Sequence, residues 1–352
     1  MARFTKSLRI QQVCRVWLGL LVASWGAASP CLADLDYHGI GWANVLVPGG
    51  GQFLLGDPLK GTAQALGEIG SFGWGYSLSR RSPLSLDGVP EDIPSPRVVG
   101  RKVVTRGEYC RIHVTDAICS RGSPSDPVLV SSFDRTPQNI QRSLSADILQ
   151  EFGIKYHMVN VFESYRQAAG DAPGIDPTPT GQLFLAPFNW SVLSEPSVYV
   201  PIGISVGVIF ASYALVVKDG LTPGPRLTHG SNRLYAATYG LVFPFGSAAP
   251  EEMFYRGFIQ NEAYTLVPSP WFAVPASALA YTLSHSVADM PSAAVTGLWL
   301  GTRTYLDHGL LSRGIAYHFW ADFFAGLLAI QLLQKSEFYP ASHELFKFTW
   351  YL

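Results

Sequence analysis

The sequence predicts an all-α fold: a polytopic transmembrane helical bundle with an irregular extracytoplasmic insert. Only 14% of the 352 residues are Asp, Glu, Lys or Arg, whereas a soluble domain usually carries about 25%. Hydrophobic residues make up 48% of the chain, and the mean hydropathy is +0.17. So few charges cannot cover the surface of a soluble protein of this size, and spaced apolar runs explain the deficit.

The charge balance argues against nucleic acid as a partner. The chain has 25 basic and 26 acidic residues, for a net charge of −1, whereas nucleic-acid-binding proteins normally show a basic excess or stripe. Glycine and proline are frequent but not periodic, which excludes collagen-like and low-complexity classes. We therefore expect the lipid bilayer as a partner and no nucleic acid.

The first 33 residues are typical of an export signal peptide. Basic residues precede an apolar run over 16–28, and small residues then lead to Ala33, after which cleavage would occur. The alternative is an uncleaved first membrane helix, although the apolar run is shorter than the roughly 20 residues that a span needs.

Residues 34–79 are predicted to form a glycine-rich membrane hairpin. An apolar, glycine-rich run over 39–56 and a weakly apolar run over 62–78 flank a turn at 57–61. Small residues would allow the two segments to pack closely. The glycines do not predict a phosphate-binding loop, because no Gly-Lys-Ser/Thr sequence ends the cluster and no strand precedes it.

Residues 80–194 are predicted to form the extracytoplasmic insert. They are rich in Pro, Ser, Asp and Arg, and none of their segments is apolar enough to span a membrane. Apolar residues at helical spacing predict an amphipathic helix over about 138–168, which could lie on the membrane surface. Cys110 and Cys119 are expected to form a local disulfide in an exported segment, with two free thiols as the alternative.

Residues 195–335 are predicted to form the main membrane domain, followed by a C-terminal tail over 336–352. The clearest span is 198–217, which contains no charged residue. Further candidate helices cover 234–250, 253–267, 271–287, 292–306 and 313–334.

The span 198–217 contains a Gly-x-Ser-x-Gly pattern at Gly203, Ser205 and Gly207. In serine hydrolases this pattern needs a strand–turn–helix context, and here it lies inside a predicted helix. We interpret it as a set of small residues at a helix interface rather than as a nucleophile.

Ionisable residues are costly inside membrane helices and therefore mark candidate functional sites. Glu252 and Arg256 are four residues apart and share one helix face. Glu251 points roughly 100° away from that face, so its carboxylate is available for another role.

Two histidines follow on later helices. His285 ends an otherwise apolar helix, and His318 shares a helix face with Asp322. Imidazoles and carboxylates from three helices could hold a divalent metal or activate one water molecule, with Glu251 as general base. Each residue has an ordinary structural alternative, as an ion-pair member or a packed histidine. Their occurrence together within about 70 residues favours a site.

These residues resemble the CAAX protease and bacteriocin-processing family, the type II CAAX intramembrane proteases. Glu-Glu-x-x-x-Arg, aromatic-x-x-x-His and His-x-x-x-Asp follow one another within about residues 235–335. Gly257 and Phe258 after the arginine agree with the family, as does the glycine-containing stretch 297–301. Tyr281 stands where Phe is usual, and Asp322 stands where Asn is usual.

The resemblance implies an all-helical membrane enzyme that hydrolyses peptide bonds, with 195–335 as its protease domain. Glu251 would activate the water, and Glu252 and Arg256 would support it. His285, His318 and Asp322 would bind a metal or stabilise the oxyanion, and Glu251 would complete the metal ligands. Zinc is the expected metal, and a glutamate base acting without a metal is the alternative.

The expected substrate is a membrane-anchored protein or peptide. An export signal and a disulfide indicate a multi-pass protein of the bacterial inner membrane, where prenylation is not expected, so the family name does not define the substrate. Two alternatives remain open: a non-catalytic scaffold or immunity-type factor that retains the protease fold, and an ion-coupled transporter. A transporter would need a continuous polar path and an internal repeat, and the sequence shows no repeat.

Overall fold

The computed structural model describes residues 36–81, 89–90, 100–112, 119, 122–132, 137–218, 240, 242–285 and 290–335. The predicted signal and the C-terminal tail lie outside the described residues. Helices dominate the described chain, as predicted. In chain order they are α1 (Tyr37–Leu46), α2 (Gly50–Leu54), α3 (Pro58–Arg81), α4 (Arg106–Ile112), α5 (Pro137–Ala169), α6 (Thr180–Leu185), a 3₁₀ turn (Ala186–Phe188), α7 (Trp190–Leu193), α8 (Pro196–Lys218), α9 (Phe243–Glu251), a π-helix (Glu252–Ile259), α10 (Gln260–Leu266), α11 (Pro270–Leu283), α12 (Met290–Leu306) and α13 (Ser312–Lys335).

A small antiparallel sheet is an addition to the predicted all-α fold. Its strands are β1 (Val89–Pro90), β2 (Gly100–Thr105) and β3 (Pro127–Ser132), with β3 in the centre. Gly100 lies opposite Ser132 in the β2–β3 pair. Helix α4 follows β2, and its Cys110 forms a disulfide with Cys119, which confirms the predicted pairing. The insert is therefore more regular at this point than the sequence predicts.

Helix α5 lies at the centre of the described bundle. It packs against α1, α3, α9 and the π-helix, and Val161, Phe162, Ser164 and Tyr165 on it are almost fully buried. The sequence predicts a helix over 138–168 that could lie on the membrane surface, whereas the structure makes it a core helix. The reason is that its polar residues meet buried polar partners inside the bundle.

The glycine-rich segment packs closely on α5 and the π-helix. A Cβ atom at Gly41 would lie 2.6 Å from the Phe258 ring, and one at Gly51 would lie 2.5 Å from Ser164 Oγ. Gly49 has a φ of +74°, which glycine adopts without strain. The glycines therefore have the structural role of close packing that the sequence predicts for them.

The Gly-x-Ser-x-Gly pattern lies within helix α8, so it lacks the turn that a hydrolase nucleophile requires. Ser205 Oγ is 2.8 Å from the Tyr317 hydroxyl on α13. A Cβ atom at Gly203 or Gly207 meets no atom of the described chain within 4 Å. Within the described chain, Ser205 therefore lies at a helix interface, whereas the two glycines contact no neighbouring helix.

Within the described ranges, no helix is both long enough and apolar enough to cross a membrane. The polytopic transmembrane arrangement stays a prediction.

Candidate active site

The two adjacent glutamates lie where α9 passes into the π-helix. Glu251 is the last residue of α9, and Glu252 is the first of the π-helix. A π-helical turn is rare and often occurs at functional sites. Both carboxylates reach the same side chain: Glu252 Oε1 lies 2.9 Å from His318 Nδ1, and Glu251 Oε2 lies 3.7 Å from His318 Nε2. Although the two glutamates point in different directions along the helix, they converge on one imidazole.

Arg256 compensates the charge of Glu252, as the sequence predicts. Its Nη1 donates to Glu252 Oε1 at 3.0 Å, and its Nη2 donates to the carbonyl of Gly297 at 3.4 Å. The guanidinium carbon lies 4.3 Å from the centre of the Tyr281 ring, in cation–π range. Both members of the ion pair are fully buried. The pair fixes the π-helix against α11 and α12.

His318 on α13 connects the carboxylates. An ionised carboxylate only accepts hydrogen bonds, so Nδ1 of His318 donates to Glu252. Its Nε2 faces Asp322 Oδ2 and the Tyr281 hydroxyl, each at 3.5 Å. Asp322 also accepts a hydrogen bond from Ser247 Oγ at 2.7 Å. The imidazole is therefore held from both sides, and its Nε2 shares a space with Glu251 Oε2.

His285 stands just beyond the C-terminal end of α11, at the margin of this cluster. Its Nδ1 donates to the carbonyl of Tyr281 at 2.7 Å, and the two rings lie 4.4 Å apart between centroids. The ring is within electrostatic range of Glu251 and His318. The structure thus brings all six predicted residues into one region, where each of the other five contacts His318 or one of its partners.

Sequence reasoning missed one residue of the cluster, Lys155 on α5. Its Nζ donates to Glu251 Oε1 at 2.5 Å and lies 3.9 Å from Glu151 Oε2. Burial lowers the pKa of Lys155, but the nearby carboxylates of Glu251 and Glu151 raise it by a larger amount. The pKa of Lys155 therefore lies above its usual range. The available signal was a lysine on the predicted apolar face of the helix, between Phe152 and Val159.

The described residues do not form a metal-binding set. Among them, no three His, Cys, Asp or Glu side chains lie at the spacing that a metal ion requires. The Lys155 ammonium occupies one oxygen of Glu251, and Glu252 occupies Nδ1 of His318. The predicted zinc stays a prediction.

Comparison with known proteins agrees with the residues of this site. Residues 233–324 match the family model described as type II CAAX prenyl endopeptidase Rce1-like. No curated protein and no solved structure matches the chain. The matched region covers about a quarter of the chain and contains all six predicted site residues, whereas Lys155 lies outside it. The match confirms the suspected family resemblance for residues 233–324, which we call the Rce1-like domain.

Proposed function

We propose that the chain is an intramembrane endopeptidase that hydrolyses a peptide bond of a membrane-associated protein or peptide, with Glu251 as the general base. The hydrogen bonding of the Glu251 carboxylate is the main support for this proposal. Oε1 is held by Lys155, whereas Oε2 is buried and has no hydrogen-bond partner within the described part of the chain. A buried, unpaired carboxylate oxygen beside an imidazole suits proton transfer from one water molecule.

In the first step, the oxygen of the water attacks the carbonyl carbon of the scissile bond, and Glu251 Oε2 takes the proton that the water loses. Negative charge then develops on the carbonyl oxygen. His318, with His285 beside it, stabilises that charge by hydrogen bonding. Glu252 and Asp322 hold the His318 ring in place, since they contact its two nitrogens.

In the second step, the tetrahedral intermediate collapses and the carbon–nitrogen bond breaks. Glu251 returns its proton to the leaving nitrogen, which departs as an amine, and the other product carries the new carboxyl group. The base of the first step is thus the acid of the second, and Glu251 ends the cycle ionised. Arg256 supplies the counter-charge of Glu252 throughout, because the two form a fully buried ion pair.

The proposed substrate class is a membrane-anchored protein or peptide in an exported compartment. The Cys110–Cys119 disulfide supports an oxidising environment, in agreement with the predicted export signal. Protein prenylation is not expected in a bacterial envelope, so we do not propose a prenylated CAAX sequence as the substrate.

Substitution of Glu251 tests the proposal. Terminal proteomics of membranes, from cells that lack the chain and from cells that express it, would identify new N-termini that depend on it. A peptide spanning one such cleavage site then serves as substrate. Glu251→Gln keeps the shape of the side chain and removes the base, so we expect kcat to fall about 10²- to 10⁴-fold.

Glu262→Gln is the matched control. Glu262 is also a buried glutamate on the same continuous helical segment, but it contacts His38 and Trp42 rather than His318. Its substitution should leave kcat near the wild-type value. Wild-type cleavage by Glu251→Gln would overturn the proposed function and favour a non-catalytic role.

A further inference from the structure

We propose that Lys155, which lies outside the Rce1-like domain, is a positioning residue of the active site: it holds Oε1 of Glu251 and leaves Oε2 to take the proton of the water. This inference rests on the proposed function. It also assigns a role to α5, which the sequence places in a polar insert apart from the catalytic residues.

The contact between the two side chains is short and shielded from solvent. Lys155 Nζ lies 2.5 Å from Glu251 Oε1, and the side chains are 8% and 1% exposed. Hydrogen bonds between two ionised groups are shorter and stronger than neutral ones. A buried carboxylate without a counter-charge is also strongly unfavourable. Lys155 is the counter-charge for Glu251, just as Arg256 is for Glu252.

The contact determines the orientation of the carboxylate. With Oε1 bonded to the ammonium, the second oxygen is directed to the side where His318 Nε2 lies, at 3.7 Å. A carboxylate turned away from this orientation would no longer have an oxygen facing the ammonium, so the ion pair opposes such a rotation. Because a misplacement of about 1 Å can cost on the order of a hundredfold in rate, a fixed carboxylate is a direct contribution to catalysis.

The position of Lys155 is itself fixed by contacts that do not involve Glu251. One helical turn further along α5, Asn160 Nδ2 donates to Glu68 Oε1 at 2.6 Å, and His157 Nδ1 lies 2.7 Å from Glu68 Oε2. Glu68 belongs to α3 of the glycine-rich hairpin. Phe162, two turns beyond Lys155, packs against Met253 of the π-helix. The hairpin and α5 together therefore hold the ammonium at the active site.

A double-mutant cycle between Lys155 and Glu251 tests the inference. Lys155→Met removes the ammonium and keeps the length of the side chain. We expect kcat on the cleaved peptide to fall roughly 10- to 100-fold with little change in KM, because the base is misplaced rather than the substrate released. Lys155→Arg keeps a positive charge and should recover part of the lost kcat. In the Glu251→Gln background, Lys155→Met should change the residual rate little.

The same cycle is measured by thermal unfolding, which does not depend on catalysis. Lys155→Met should lower the unfolding midpoint strongly in the wild-type chain and much less beside Glu251→Gln, because the uncompensated charge is then absent. Lys155→Arg keeps the cycle measurable where Lys155→Met does not fold. Additive changes in the midpoint would show that the two side chains do not interact and would overturn the inference.

Glu163→Gln is the matched control on the same helix. It weakens the contact of α5 with Thr180 without touching Glu251 or the contacts with Glu68 that position Lys155. A fall in kcat equal to that of Lys155→Met would mean that Lys155 acts only through general stability, and the inference would be wrong. The proposed function has its own test: it is wrong if the Glu251→Gln variant cleaves the peptide at the wild-type rate. A normal kcat in Lys155→Met beside an inactive Glu251→Gln overturns the inference alone.

Discussion

Single residues determine the chemistry of this site through one shared imidazole. His318 contacts Glu252 at one nitrogen and faces Glu251 and Asp322 at the other. The sequence predicted these residues because ionisable groups are rare in the apolar half of the chain and fall into three spaced motifs. It did not predict Lys155: a lysine on an apolar helix face is an unusual feature, but its partner is 96 residues away and no local pattern links the two.

Metal binding also depends on single residues. The residues predicted as ligands are Glu251, His285, His318 and Asp322, and a zinc ion on Glu251 would compete with the Lys155 ammonium. Metal analysis of the purified chain, with cleavage measured in chelator and after zinc is restored, checks the prediction. A zinc enzyme loses cleavage in chelator and regains it with zinc. Cleavage by metal-free protein would instead leave Glu251 as a base that acts alone.

At the scale of elements, the close contact between α5 and the π-helix aligns the two halves of the site. The sequence predicted both helical segments, because apolar residues recur in them at helical spacing. It did not predict their contact, since polar residues on α5 suggested a solvent-facing side. The small sheet was also missed. Its longer strands have only two or three consecutive apolar residues, Val-Val in β2 and Val-Leu-Val in β3, too few to indicate a strand.

Gly257 is the residue that permits this contact. A Cβ atom at Gly257 would lie 2.5 Å from the Phe162 ring of α5 and 3.1 Å from a Leu311 methyl group. Gly257→Ala should therefore separate the helices, with a loss of about 1–3 kcal/mol in the free energy of unfolding. Cleavage should fall with it, because Lys155 moves away from Glu251. Chemical denaturation and the peptide assay measure the two effects.

Gly246→Ala is the control for helix propensity. Gly246 lies on α9, and no described atom lies within 4 Å of a Cβ placed there. Alanine should stabilise that helix slightly and leave cleavage unchanged. Equal losses in both variants would show that the α5 contact is not responsible.

For the whole molecule, the composition predicted the class of fold. The scarcity of charged residues also made the ionisable residues of the site recognisable in the sequence. The helical fold and the disulfide are confirmed by the structure, and the family is confirmed for residues 233–324. Membrane topology is the property that the described helices do not establish. Long-range assembly could not be deduced either, because periodicity along a chain reports which face is buried but not against which segment.

Integration into the membrane is a testable property of the whole chain. Rce1-like proteins are membrane proteins, so we expect the full chain to sediment with membranes and to resist extraction by alkaline carbonate. Immunoblotting of the pellet and the supernatant measures this. A known peripheral membrane protein in the same sample is the control for complete extraction. Release of the chain by carbonate would contradict integration and require another account of its apolar composition.

The distance along the chain between Lys155 and His318 has a consequence for biosynthesis. The ribosome makes the helix that carries the lysine long before it makes the glutamates, and it makes His318 later still. A nascent chain therefore holds an incomplete site until His318 is made, and a transcript truncated before codon 318 encodes a product without the shared imidazole. Conversely, a gene fragment trimmed to the family match would encode all six motif residues and still lack their lysine.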